Sequence, residues 1–315
     1  MLKFVIKRIF SCIPVLFVVI TLIFFMIRII PGDPALNILG EDADPADVEA
    51  LRERLGLNDP ILVQYVKYLK GIIQGDWGAS LYNDVPVFEN IRGRMEPTIL
   101  LTIYSVTLAV LIGVPVGIIA AKKRNSLADY SLTFFSAVGM SAPGFWVGLM
   151  MVYYLGVQLR WFPVQGYTFI ADGGLKGALY SLTMPAIAYT LSHVSSLARY
   201  TRTMMLDVIN NDYIRTARAK GLIEGKVYYK HALKNTMAIV GTVIANSIAA
   251  LLGGAAVTEK VFNIRGMGTL AVDSLGRRDY SQEQAIVLFF AMVTLVVNLL
   301  MDIFYKLMDP RIQYE

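Results

Sequence analysis

Tyr213-Ile-Arg-Thr-Ala-Arg-Ala-Lys-Gly221-Leu222, continued by Lys230-His-Ala-Leu-Lys-Asn235, is a polar, basic stretch that separates two long apolar segments of the chain. Its pattern predicts two short helices hinged at Gly221, because glycine readily adopts the left-handed conformation that ends a helix. Ile209, Tyr213 and Ala217 are spaced by four residues, so they are expected on one helical face. The pattern alone fits contact with anionic lipid as well as contact with a protein partner.

The composition on either side of this stretch is that of a membrane protein. Of the 315 residues, 56% are hydrophobic and 17% are charged, and the mean hydropathy is +0.54, whereas soluble domains carry about 25% charged residues. The apolar residues gather into runs of roughly the 20 residues that a helix needs to cross a bilayer. Because lipid offers no partner for free backbone groups, the spans must be helical. We predict an all-α polytopic fold with six transmembrane helices at 9–30, 98–121, 132–157, 178–199, 237–258 and 284–306.

The distribution of basic residues predicts the orientation of these spans. Cytoplasmic loops are enriched in Lys and Arg, and the short basic clusters of the chain are Lys3, Lys7, Arg8 and Lys122-Lys-Arg124. The loop after the third span carries only Arg160 and Lys176. Both termini are therefore expected in the cytoplasm. The N-terminal run lacks a small-residue cleavage site, so we expect a retained helix rather than a removed signal peptide. This pattern explains the formal charge of +5 better than nucleic-acid binding does.

Residues 31–97 form a polar segment that this orientation places outside the cell. Asp44-Pro45 and Asp59-Pro60 each resemble a helix start, with a capping carboxylate ahead of a proline at the first helical position. One-sided apolar residues follow both signals, so we predict a small extracytoplasmic helical insert. The loop 259–283 is expected on the same side of the membrane, and Gly266 and Gly268 allow tight turns there.

Residues that could carry chemistry are few. Gly221-Leu-Ile-Glu-Gly225-Lys226 is one residue short of a phosphate-binding loop, and Val227 follows where Mg²⁺ needs a hydroxyl. Two histidines, His193 and His231, are too few for a three-histidine metal site. The central parts of the predicted spans hold no Asp or Glu, which argues against an ion-coupled transporter. We therefore expect no nucleotide, cofactor or metal site in this chain, and no catalytic constellation for an intramembrane enzyme can be assembled.

Uncharged polar residues inside the spans leave two interpretations open. They are candidates for lining a translocation path, and they are equally consistent with interhelical hydrogen bonds of about 1 kcal/mol each. The candidates are Ser192, Thr242, Asn246 and Asn298. With either interpretation, the bundle is expected to be a conduit without an energy source of its own.

The basic stretch resembles the "EAA" loop of binding-protein-dependent ABC importers, in the version typical of dipeptide and oligopeptide permeases. Arg215, Thr216 and Ala217 occupy the positions of the family's Glu-Ala-Ala, and His231-Ala-Leu-Lys replaces its Ile-x-Leu-Pro. The resemblance covers nearly the whole chain and is to the first, B-type permease subunit. It is carried by Ile30-Pro-Gly-Asp-Pro-Ala35, Leu55-Gly-Leu-Asn-Asp-Pro60, Gly75-Asp-Trp-Gly-Ala-Ser80, Ser141-Ala-Pro-Gly-Phe145 and Phe262-Asn-Ile-Arg-Gly-Met-Gly268.

The resemblance implies a type I ABC importer permease in the bacterial inner membrane. Its fold would be a methionine-permease-like (MetI-like) core with an extra N-terminal span and the insert. Expected partners are a second, homologous permease, two ATPases that bind ATP and Mg²⁺, an extracytoplasmic substrate-binding protein and membrane lipid. The loop 206–235 would couple the chain to an ATPase through Tyr213, Arg215, Thr216, Ala217, Arg218, Gly221, Leu222 and His231. Candidates for contact with the binding protein or for an outer gate are Arg265, Gly266, Gly268 and Asp273.

The substrate implied by the resemblance is a short peptide. Nickel, glutathione or another small solute of the same family remains an alternative, since selectivity resides largely in the binding protein. A self-sufficient secondary transporter is the alternative from a different class. It would take up substrate along an ion gradient without ATPase partners.

Overall fold

The computed structural model describes residues 2–29, 31–40 and 42–308, and the regular structure within these ranges is helical. Val152–Gln158 and Val227–Ala232 are π-helical, and each continues directly from the α-helix before it. The α-helices in chain order are α1 (Leu2–Ile29), α2 (Pro34–Leu39), α3 (Pro45–Arg54), α4 (Ile61–Gln74), α5 (Val87–Lys122), α6 (Leu127–Ser141), α7 (Gly144–Met151), α8 (Ile170–Ile209), α9 (Asp212–Ala219), α10 (Glu224–Lys226), α11 (Leu233–Val261), α12 (Met267–Arg277) and α13 (Tyr280–Met308).

The first compact unit consists of Met1–Glu96 and Arg265–Val296. Asp44 caps α3 through a bond of 2.9 Å from the Ala46 backbone N–H, as the Asp44-Pro45 signal predicts, and Asp33 caps α2 through a bond of the same length from the Ala35 N–H. The Asp59-Pro60 signal is wrong in detail, because α4 begins at Ile61 with Pro60 at its N-cap and without a capping side chain. Helix α4 packs its aromatic residues against α1, with the Phe24 ring 5.1 Å from Tyr65 and 5.5 Å from Tyr68. These contacts attach the insert to the first helix.

Helix α5 begins at Val87 rather than near residue 98, so it extends into the predicted insert. Val87 and Ile91 lie one turn apart on the helix, and both are buried with Met267 and Ile286 in one apolar cluster. This burial extends α5 outward beyond its apolar stretch. The last eleven residues that we assigned to the insert, 87–97, are therefore helical.

The second unit consists of Pro97–Ile264 and Val297–Glu315. Helix α8 packs against α6, α7 and α11. Helices α5 and α8 approach closely at Gly117, where a side chain would collide with the Ala198 carbonyl. Two buried apolar clusters fill this unit, one of which includes Leu101, Leu182 and Phe262, and the other Leu197 and Ile214.

Within the described residues, four helices are long and apolar enough to cross a membrane: Val5–Ile29, Val87–Lys122, Val240–Val261 and Tyr280–Lys306. These four contain most of the first, second, fifth and sixth predicted spans. The predicted span 178–199 lies inside α8 but does not meet the same test, so it stays a prediction. The polar residues Ser192, His193, Ser195 and Ser196 lower the hydropathy of this segment.

The prediction of one continuous helix at 132–157 is wrong. Helices α6 and α7 meet at a bend of 94° and together form a broken span or a re-entrant loop. Pro143 causes the break, because proline lacks a backbone N–H and disfavours helical geometry in the residue before it. Ala142 is accordingly extended, with φ −72° and ψ 122°.

A buried ion pair joins α6 to α8. Asp129, whose side chain is 2% exposed, accepts hydrogen bonds from Arg202 Nε at 2.6 Å and from Arg202 Nη2 at 2.7 Å. The same carboxylate accepts a bond of 3.0 Å from the Asn125 backbone N–H. A bidentate pair with an additional backbone donor offsets the cost of burying the charge.

We predict that Asp129→Asn lowers the free energy of unfolding by about 3 kcal/mol, since it leaves the Arg202 charge without its partner. Thermal unfolding of the purified protein in detergent measures the loss. Asp212→Asn is the matched control, because that carboxylate is 96% exposed beside Arg215 and exposed pairs contribute less than about 1 kcal/mol. Equal melting temperatures for the two variants would contradict the stabilising role of the buried pair.

Candidate functional site

The predicted coupling segment forms a short helix, α9, that is separate from α8. Asn210 and Asn211 interrupt the chain between them, and Asn211 is extended at φ −73° and ψ 150°. This interruption separates Ile209, which lies on α8, from Tyr213 and Ala217, which lie four residues apart on α9, so the three residues do not form the one continuous face that the sequence predicted. The inward face of α9 instead carries Ile214 and Ala217, whereas Tyr213 is 40% exposed.

Ile214 attaches α9 to the rest of the second unit. It is fully buried in a cluster with Val227, Tyr228 and Ala232, which belong to the π-helical segment after α10. Leu222 packs on the same cluster and is partly buried. Ile214 is not among the predicted coupling residues, although its spacing of three residues from Ala217 places both on one helical face.

Gly221 ends α9 in the left-handed conformation that the sequence predicts, at φ +75°. Its N–H donates to the Arg218 carbonyl at 2.9 Å, and the Leu222 N–H donates to the Ala217 carbonyl at 3.3 Å. This pair of bonds is a Schellman motif, which satisfies carbonyls at the end of a helix. The turn directs Leu222 back toward the buried cluster.

An ion pair spans the turn. Arg218 Nε donates to Glu224 Oε1 at 2.8 Å, and this hydrogen bond raises the pKa of the Arg218 guanidinium above its usual value. Glu224 lies in the first turn of α10, where a carboxylate also interacts favourably with the helix dipole. Burial raises the pKa of the Tyr228 phenol, which packs beneath this turn.

The outward face of α9 is polar and accessible. Tyr213, Arg215 and Thr216 are exposed, and the Thr216 hydroxyl donates to the Asp212 carbonyl at 2.9 Å. Arg215 lies 3.4 Å from Asp212 on the same helix. His231 is half-buried in the π-helical segment. Of the predicted coupling residues, Ala217 packs inside the chain, while Tyr213 and Arg215 offer large side chains to a partner.

The candidates for a translocation path lie in three helices of the second unit. Thr242 and Asn246 are exposed one turn apart on α11, and Asn298 is exposed on α13. Thr242 also forms a hydrogen bond with the Tyr305 hydroxyl on α13. Ser192 is half-buried on α8, with its hydroxyl 3.3 Å from His193 Nδ1. Interhelical bonding thus accounts for part of this set, while Asn246 and Asn298 face outward.

The outer candidates belong to the first unit, together with the insert. Gly266 and Gly268 are buried, and the Gly266 N–H donates to Thr269 Oγ1 at 3.0 Å at the start of α12. Arg265 and Asp273 are exposed. Only these two of the four candidates present side chains on the surface.

Asp279 connects the loop 259–283 to the insert. Its carboxylate accepts hydrogen bonds from the Ser80 hydroxyl and from the Leu81 backbone N–H, the latter at 3.1 Å. Asn90 Nδ2 donates to Gln282 Oε1 at 2.8 Å in the same region. Residues 265–283 of the loop therefore form one body with the insert.

Two family profiles match consecutive parts of the chain. The binding-protein-dependent transport system inner membrane component matches residues 113–314, and the N-terminal part of such membrane components matches residues 1–111. Similar curated proteins include a probable peptide ABC transporter permease of Sinorhizobium fredii, with 40% identity over 99% of both chains. The oligopeptide transport system permease AppB of Bacillus subtilis and the glutathione transport system permease GsiC of Escherichia coli are 40% identical over 100% of both chains.

The fold is also similar to a solved structure. The inward-facing MetNI methionine ABC transporter contains a chain that aligns with a TM-score of 0.58 at 16% identity, covering 71% of this protein and 98% of that chain. This likeness supports the methionine-permease-like core with an N-terminal extension. The chain belongs to the family of binding-protein-dependent transport system inner membrane components, and it is a multi-pass permease subunit of an ABC importer.

Proposed function

We propose that this chain is one of two pore-forming permeases of an importer for short peptides, with both of its termini in the cytoplasm. The names of two relatives at 40% identity, a peptide and an oligopeptide permease, support this substrate class. A third relative is a permease for glutathione, which is itself a tripeptide. The basic residues Lys122, Lys123 and Arg124 at the end of α5 support the orientation.

In this proposal, α9 binds in a cleft of a partner ATPase, and ATP and Mg²⁺ are bound by the ATPases alone. The observation that carries the proposal is the two-sided construction of α9. Its inner face is fixed by Ile214 and Ala217, and its outer face exposes Tyr213 and Arg215. A helix held in this way can transmit ATPase closure to the bundle as a rigid-body displacement.

A second, homologous permease would cover the exposed polar face of α11. Asn246 and its neighbours Thr242, Ala250 and Gly253 are exposed on this otherwise apolar helix. Small residues let helices approach closely in a membrane, and uncovered amides are costly there. We propose that this face lines the path between the two permeases.

The single body formed by the insert and the loop 259–283 would receive the substrate-binding protein. Arg265 and Asp273 are exposed on this body. Because residues 265–283 of the loop and residues 31–96 of the insert belong to one unit, we propose that docking uses them together rather than one of them alone.

We predict that the double variant Tyr213→Ala, Arg215→Glu reduces co-purification of the ATPase subunits at least about ten-fold, since exposed Tyr and Arg anchors often dominate interfaces. Quantitative mass spectrometry of the affinity-purified complex measures the ATPase content. Tyr130→Ala is the control, because Tyr130 is also an exposed tyrosine but lies on α6. Wild-type ATPase content and transport in the double variant would contradict the role of α9.

We predict ATP-dependent uptake of a labelled dipeptide or tripeptide when the complete importer is reconstituted into liposomes with its binding protein. Uptake should stop when the ATPases are omitted and should persist when ion gradients are collapsed, because in this proposal ATP hydrolysis by the partner ATPases supplies the energy. Uptake driven by an ion gradient without ATP would refute the importer mechanism. ATP-driven uptake of nickel but not of peptides would refute only the substrate class.

A further inference from the structure

An apolar crevice of about 320 Å³ lies between α5, α6 and α8 within the second unit. Its walls combine small and apolar side chains with Thr133 and Ser136 of α6, and its two cations lie on α8. The residues that line it include Gly117, Ala120, Leu132, Ala137, Arg199 and Arg202. The hydrogen bonds and ion pairs of these three helices do not account for a space of this size.

The crevice lies close to the basic end of α5. Ala120 is two residues and Gly117 five residues before Lys122, where α5 ends, which corresponds to about 3 and 8 Å of helix. With the cytoplasmic orientation proposed above, the crevice therefore lies at the depth of the inner leaflet. The inference rests on that part of the proposed function.

Cationic groups surround the same end of the crevice. Arg199 is exposed at its lining, and Arg202 is held in place by Asp129. Lys122 and Lys123, at the end of α5, are exposed as well. The only carboxylate that is bonded to a lining cation in the described residues, Asp129, is buried and directed at Arg202. The accessible charge at the opening is therefore positive.

We propose that this crevice binds one anionic phospholipid of the inner leaflet. An acyl chain would fill the apolar space, and the phosphate would lie against Arg199 and the outer side of Arg202. Anionic headgroups are attracted to basic residues at the cytoplasmic surface by about 1 kcal/mol per cation, and basic pockets between membrane helices bind such headgroups. A free phosphate ion would make the polar contacts only, and it would leave the apolar walls unfilled.

A lipid in this position would contact α6 beside its ion pair with α8. Because it binds the folded bundle and not the unfolded chain, it would stabilise the packing of α6 on α8 by mass action. Removing anionic lipid should therefore lower the melting temperature of the complex.

The test is native mass spectrometry of the assembled importer, purified from nanodiscs that contain equal amounts of phosphatidylglycerol and phosphatidylcholine. We expect one retained phosphatidylglycerol per copy of this chain. Arg199→Gln should reduce its retention about five-fold, the equivalent of about 1 kcal/mol for one cation. Ala137→Phe should also displace it, because it fills the crevice and leaves the charges unchanged. Both positions are exposed, so the variants should fold.

The controls are Lys176→Gln, an exposed cation away from the crevice, and Ile103→Phe, a bulky substitution at an exposed position of α5. Neither should change lipid retention. Equal retention of both lipids by the wild type, or loss of phosphatidylglycerol in the controls to the same extent, would overturn the proposal. Retention is read out without transport, so a failure here is distinguishable from a failure of the importer assignment.

Discussion

The burial of Ile214 against Val227, Tyr228 and Ala232 is the contact on which the proposed coupling mechanism depends. Full burial of one isoleucine side chain contributes about 1.5–3 kcal/mol, which is sizeable for an eight-residue helix that is too short to be stable alone. The Schellman turn at Gly221 and the bond between Arg218 and Glu224 add to this attachment. Helix α9 is thus fixed on one side and accessible on the other, so a displacement of its exposed face is transmitted to the helices on which it packs.

The end of the first helix in the loop 206–235 was predictable from sequence, but the break that separates α9 from α8 was not. The end of α9 at Gly221 was predicted correctly because glycine adopts a positive φ without the steric cost that other residues meet. Ile209 does not continue the face of Tyr213 and Ala217, because Asn210 and Asn211 break the helix and periodicity assumes an unbroken one. A signal was present in this Asn-Asn pair, since asparagine favours helix ends and turns over helix interiors.

For the membrane segments, the sequence likewise predicts where the apolar helices lie but not how they bend and pack. Hydropathy identified apolar segments correctly but contains no information on direction, so the bend between α6 and α7 was missed even though Pro143 marks it. The pair of Asp129 and Arg202 joins residues 73 positions apart, and no sequence spacing reports such a contact. It depends on how α6 and α8 pack, which only the folded chain defines.

The most direct test is a spin-label distance between Lys220 at the end of α9 and Tyr130 on α6, both exposed, in the assembled importer with and without ATP. If α9 moves with the bundle as one body, the distance between the labels at Lys220 and Tyr130 is the same with and without ATP. The distance between a label at the exposed Val257 of α11 and the second permease changes when ATP is added. A distance between Lys220 and Tyr130 that changes with ATP, while α11 stays still, would contradict rigid coupling through α9.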